Sequence, residues 1–151
     1  MNDIQKILIN LKSWANSTAP IDNIVQGMNQ GKSAMQNRIF NSEQGAKDIT
    51  GKGLGSYSDP YKKYRQKRGR QTAHIDLEMT GSLRRDIKVV QENAKVAIAV
   101  PSSIERNKIG YIENRYKTAI FDISQNERDE IMTTIENNFT NDIKQIINGI
   151  N

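Results

Sequence analysis

Six cations stand within the ten residues from Tyr61 to Arg70: Lys62, Lys63, Arg65, Lys67, Arg68 and Arg70, with no acid among them. Cations at this density can neutralise phosphates, with binding that falls steeply as salt rises, or can pair with carboxylates. Tyr57, Tyr61 and Tyr64 are interleaved with them. A phenol ring can stack on a base or cover apolar surface. In a helix, Lys62 with Arg65 and Lys63 with Lys67 would fall on adjoining faces, so the charge points several ways. A protein partner, a nucleic acid and plain solvation all remain open, because charge alone does not identify a ligand. The candidate partner-binding residues are therefore Tyr57, Tyr61, Lys62, Lys63, Tyr64, Arg65, Lys67, Arg68 and Arg70.

Other motifs are weaker. Gly51-Lys52-Gly53-Leu54-Gly55 has the glycines of a phosphate loop but not the GxxxxGK[ST] spacing, and it reads as a flexible loop. His74 and Asp76 alternate on the polar side of an expected strand. They could act as base and orienter, but no nucleophile or metal site accompanies them, so they read as a solvated pair. Asp86-Ile87-Lys88 and Glu92-Asn93-Ala94-Lys95 have the acid–lysine pattern of metal-dependent nucleases without a convergent carboxylate cluster. The chain has no Cys and one His, which removes disulfides, thiolate metal sites and histidine clusters. No catalytic, cofactor or metal residue is assigned.

Local patterns predict the elements that must carry these residues. Ile4, Ile7, Leu8, Leu11, Trp14 and Ala15 mark one face of a helix over 3–15. A second helix is expected from about Pro20 to Asn41, and its Gly27 and Gly31 imply either a close neighbouring backbone or a local break. Residues 42–59 read as an exposed Gly- and Ser-rich loop, and a short basic helix should follow Ser58 or Asp59 and end at Gly69. Alternation over Ala73–Met79 predicts a half-buried strand, and Thr80–Arg85 a turn with one helical turn. Ile87–Gln91 and Lys95–Val100 read as a hairpin turning at Glu92-Asn93-Ala94. A helix within 102–116 and a brief strand at Thr118–Phe121 come next. The capping box Ser124–Glu127 then opens a long helix striped by Ile131, Ile135, Phe139, Ile143 and Ile147. The expected fold class is α+β: two N-terminal helices, a small antiparallel sheet with a β-hairpin, and a long C-terminal helix.

Length and composition set the frame. With 151 residues the chain suits one domain, 1–151, with 42–72 as a Gly-rich and basic arm. Apolar residues make up 36%, which is low, so an oligomer that shares its core is expected. Neither a bilayer-length apolar run nor a secretory signal is seen, so a membrane protein is not expected. The net charge of +5 is uneven: residues 61–70 carry +6 and the remainder sums to −1.

The chain resembles the small tail-completion, or head–tail joining, proteins of tailed bacteriophages, also called phage virion morphogenesis proteins. The residues carrying the resemblance are Tyr57-Ser58-Asp59-Pro60-Tyr61 with the basic stretch, then Ile75-Asp76-Leu77-Glu78-Met79-Thr80-Gly81-Ser82-Leu83. Ala119-Ile120-Phe121 and Ser124–Ile131 match the family's close, in which an aromatic precedes a Ser-x-x-Glu helix start. The match covers 55–135 and departs at Glu113-Asn114-Arg115, where the family often has a glycine two residues after Glu or His. The resemblance implies a non-enzymatic virion protein at the neck, assembled in the cytoplasm of the bacterial host. It would be one of six or twelve copies in a homo-oligomeric ring, stacked between portal or adaptor and tail, with genomic DNA passing through the lumen. Residues 42–72 would dock on a neighbour, ordering on assembly. The alternative is a nucleic-acid-binding protein using the basic segment 57–70.

Overall fold

The computed structural model describes residues 2–41 and 43–149. Their elements are helices α1 (Asp3–Ala15), α2 (Ala19–Ile39), α3 (Asp59–Gln66) and α4 (Ser82–Asp86), strands β1 (Lys88–Glu92) and β2 (Lys95–Ala99), and helices α5 (Ser103–Tyr116) and α6 (Gln125–Asn148). The architecture is α+β, with helix predominating over one two-stranded antiparallel sheet. No helix among the described residues is long and apolar enough to cross a membrane.

The spine is the pair α2 and α6. The expected capping box opens α6: the Ser124 hydroxyl accepts from the Glu127 N–H, and the Glu127 carboxylate accepts from the Ser124 N–H at 2.8 Å. Opposite, Gly27 and Gly31 bring the α2 backbone against Ile131 and Ile135. Of the two explanations for these glycines, close approach is the one realised, and α2 runs through them unbroken. The Asp142 carboxylate then ties three helices at once, accepting from Trp14 Nε1 of α1 at 2.9 Å and Asn23 Nδ2 of α2 at 2.8 Å. Trp14 also meets Phe139 edge-on, but α1 buries no residue fully, and Ile4, Leu8 and Ile9 stay exposed.

At the far end of α2 lies the main core: Met35, Ile39, Phe40, Leu83, Ile87 and Ile120. Arg38 joins this end to its surroundings. Its guanidinium meets the Glu127 carboxylate at 2.6 Å and donates to the carbonyls of Lys47, Ile120 and Asp122. The hairpin turns at Asn93, which takes a left-handed φ of 54°, and pairs Val89 with Ile98; Ile98 packs against the core.

Three expectations need correction. Ala73–Met79 is not a strand: the Asp76 carboxylate accepts from the Glu78 N–H and Leu77 adopts φ 52°, so the chain bends where alternation implied extension. Thr118–Phe121 is not a strand either, because the N–H groups of Ile120 and Phe121 both donate to the Glu113 carboxylate and are lost to a ladder. The helix α5 ends at Lys117, which takes a left-handed φ of 56°. Lastly, the loop after α2 is not simply exposed. Ala46, Asp48 and Tyr57 are buried in it, and Ile75 packs with Ala46 and Tyr57 in a second small core.

Two glycines in helices make a matched test. A Cβ on Gly31 would sit 2.3 Å from Ile131, whereas one on Gly110 in α5 would meet nothing. Gly31→Ala is expected to cost about 1–3 kcal/mol through overpacking, and Gly110→Ala to stabilise by roughly 0.5–1 kcal/mol through helix propensity. Urea unfolding of the two variants reads both signs.

Candidate functional site

The basic segment begins in α3, started by Asp59 and Pro60 in the first turn, and runs on through Lys67, Arg68 and Arg70 beyond the helix. One of its six cations turns inward. Arg65 is only 1% exposed, and its guanidinium spends every edge on the segment that follows. Nη2 lies 2.9 Å from both oxygens of Asp76, Nε donates to the Gln71 carbonyl and Nη1 to the Glu78 carbonyl. Asp76 is completed by the Tyr57 hydroxyl at 2.8 Å and Gln71 Nε2 at 2.6 Å. Burial pushes the Tyr57 phenol well above its ordinary pKa, so it stays protonated and donates to Asp76. A buried ion pair whose remaining donors and acceptors are all matched locks geometry, because breaking one member strands the other.

With Arg65 anchored, the tyrosines form a connected row. Tyr57 meets Tyr61 edge-on at 5.2 Å, Tyr61 stacks on Tyr64 at 5.6 Å, and Arg68 lies 3.7 Å over Tyr64. The Arg65 guanidinium sits 4.5 Å from the Tyr57 ring. Each ring expected to stack on a base already has a π partner within the chain.

Beside this row runs an open groove in two joined parts, of about 510 and 660 Å³. Tyr61 borders one side, Leu77 and Met79 lie between, and α5 forms the other side through Ile104, Tyr111 and Ile112. The helix α5 carries two stripes. Ile109, Ile112 and Tyr116 pack on the core, while Ile104 and Tyr111 stand 67% and 69% exposed. Arg115 borders the groove and Arg68 sits near it on Tyr64, both exposed.

The sequence-chosen residues therefore divide. Tyr61 and Tyr64 line the groove with exposed surface, and Lys63, Lys67, Arg68 and Arg70 are exposed, with Lys62 half-buried beside Asp59. Tyr57 and Arg65 border the groove too, but their contacts with Asp76 leave them buried, so they shape it from inside. Ile104, Tyr111 and Arg115 were missed. Their signal was the spacing i, i+7, i+11 along α5, a second face out of phase with Ile109 and Ile112.

The remaining motifs resolve structurally. His74 and Asp76 do not share a solvated face; Asp76 is buried with Arg65, and the His74 carbonyl accepts from Gln71 Nε2. In the glycine loop, Asp48 Oδ1 accepts from the N–H groups of Thr50 and Lys52, so donors that would hold a phosphate hold the chain's own carboxylate. Asp86 accepts from the Ser102 N–H at the entry to α5. Among the described residues no three His, Cys, Asp or Glu side chains gather as a metal would need.

Comparison with known proteins returned no matching family model, no matching curated protein and no matching solved structure.

Two substitutions test these anchors. Asp76→Ala leaves the Arg65 guanidinium buried without its counter-ion and is expected to cost about 3–5 kcal/mol in urea unfolding. Burial alone would raise the pKa of Asp48, but hydrogen bonds from Thr50, Thr118 and Lys52 outweigh it and hold the carboxyl below its ordinary 3.8. Its stabilisation is therefore complete above the unfolded value and disappears as pH falls through the lower folded value. Asp48→Asn should be less stable than the parent at pH 7, with the gap closing below pH ~4.

Proposed function

We propose that this protein is a structural virion subunit, one of six or twelve copies in a ring at the phage neck that joins portal or adaptor to tail. The observation that carries this reading is the apolar groove with Ile104 and Tyr111 standing exposed along it. Monomeric domains seldom leave large apolar side chains contiguous in water, and a groove of this kind suits a protein neighbour. The exposed Ile4, Leu8 and Ile9 of α1 offer a second, separate apolar face. A closed ring needs two different patches on each subunit. The residues resembling tail-completion proteins bear on the same place: Tyr57, Ser58, Pro60 and Tyr61, residues 77–83 and Arg65 all border the groove. In this reading the protein is not an enzyme and needs no cofactor. It assembles in the host cytoplasm, and genomic DNA passes through the lumen of the ring.

Electron microscopy and sedimentation of the purified protein, alone and mixed with a portal–adaptor complex from the same source, test the reading. Closed rings, free or seated on that complex, are expected. A chain that stays monomeric at every concentration and fails to bind the complex would overturn it.

A nucleic-acid-binding function is supported by a specific feature. Among the described residues no acid lies within ion-pair distance of Lys63, Lys67, Arg68 or Arg70. Phosphates could occupy that surface. The internal pairing of the tyrosines weighs against base stacking. A DNA titration across salt separates the readings. A steep salt slope, lost when these four cations are made neutral, would favour the nucleic-acid function; a shallow slope with weak binding is expected of the ring subunit.

A further inference from the structure

The groove needs an occupant, and the chain carries a surface of matching chemistry. The helix α6 holds five acids against two bases. Ile131 and Ile135 face the α2 glycines, so Asp129, Met132 and Glu136, at i, i+3 and i+7, fall on the stripe turned away from that contact. All three are exposed, Met132 at 49%. Among the described residues neither Asp129 nor Glu136 has a cation within ion-pair distance.

The groove presents the converse. Tyr61, Tyr111, Leu77, Met79 and Arg115 line it, and Arg68 lies over Tyr64, another lining residue; neither arginine has an acid within ion-pair distance among the described residues. A thioether packs well against aromatic rings, and guanidiniums pair readily with carboxylates.

We infer that the groove between α3 and α5 receives the outer face of α6 from a second copy of this chain, with Met132 between the tyrosines and Asp129 and Glu136 against Arg68 and Arg115. This inference rests on the ring reading, and it names the contact that would build the ring. Groove and stripe are different surfaces of one subunit, so the contact is head-to-tail and propagates around a ring or along a filament. Exposed charge pairs are screened by salt, so the contact weakens as ionic strength rises.

A charge-swap series tests it, using exposed positions whose urea midpoints should stay close to the parent's. Assembly is read by sedimentation, or by copies bound to the portal–adaptor complex if the parent ring forms only there. The groove variant Arg68→Glu with Arg115→Glu, and the stripe variant Asp129→Arg with Glu136→Arg, should each weaken assembly at least tenfold. All four substitutions in one chain should restore it, because the swapped charges attract again. If every variant assembles like the parent, or the fourfold variant is no better than the twofold ones, this contact is wrong and the ring stands on some other surface. If the parent itself never assembles, alone or on the complex, the ring reading fails and the contact with it.

Discussion

Buried backbone outside helices and sheets must still find hydrogen-bond partners, and in this protein two guanidinium groups supply many of them. Only one two-stranded sheet is present among the described residues, so the segments 43–58, 69–81 and 117–124 have no long ladder to satisfy their carbonyls. Arg38 collects three of those carbonyls and Arg65 two, and each guanidinium is neutralised by a carboxylate, Glu127 or Asp76. Five donors in a planar fork make arginine suited to the task; lysine, a compact point charge, could not span the same set. Desolvating such pairs offsets much of their attraction, whereas removing one partner is strongly destabilising. Their effect here is positional: they fix where irregular chain runs.

That positioning connects the interior to the surface. Arg65 draws 71–78 against α3, and the bend at Leu77 that follows puts Leu77 and Met79 in the groove beside Tyr61. Glu127 serves twice, capping α6 and pairing with Arg38, so the start of the long helix is registered against the end of α2. Glycine contacts then hold the two helices together along their length. Apolar surface on α1 and α5 remains outside this frame, with Ile4, Leu8, Ile104 and Tyr111 exposed.

Much of the secondary structure was legible because its signals are local. Periodicity marked α1, α2 and α6, the box Ser124–Glu127 marked the start of α6, and the hairpin followed from two β-branched runs with a short turn. The failures at 73–79 and 118–121 have one cause. In both, a distant or neighbouring carboxylate takes the backbone N–H groups that a strand would have used, at Glu78 by Asp76 and at Ile120 and Phe121 by Glu113. Alternation of apolar residues reports which side chains want burial, not which acceptor captures a particular N–H. The groove was half-legible: its α3 side lay among the tyrosines, while on α5 the apolar residues divide between core and groove, a division set by what packs on each face.

The sequence by itself determined the main helices, the hairpin and the concentration of +6 in ten residues, since each depends on neighbours within a few positions, while at Gly27 and Gly31 it left a choice between close packing and a break. Only the tertiary structure decided which of those cations belongs to the interior. Arg65 and Lys63 are two residues apart in one basic run, yet one is sealed against Asp76 and the other faces solvent. The difference lies in where residues 71–78 return to α3, a long-range path that no local pattern encodes. The same path separates the tyrosine that serves the core, Tyr57, from Tyr61 and Tyr64, which serve the surface.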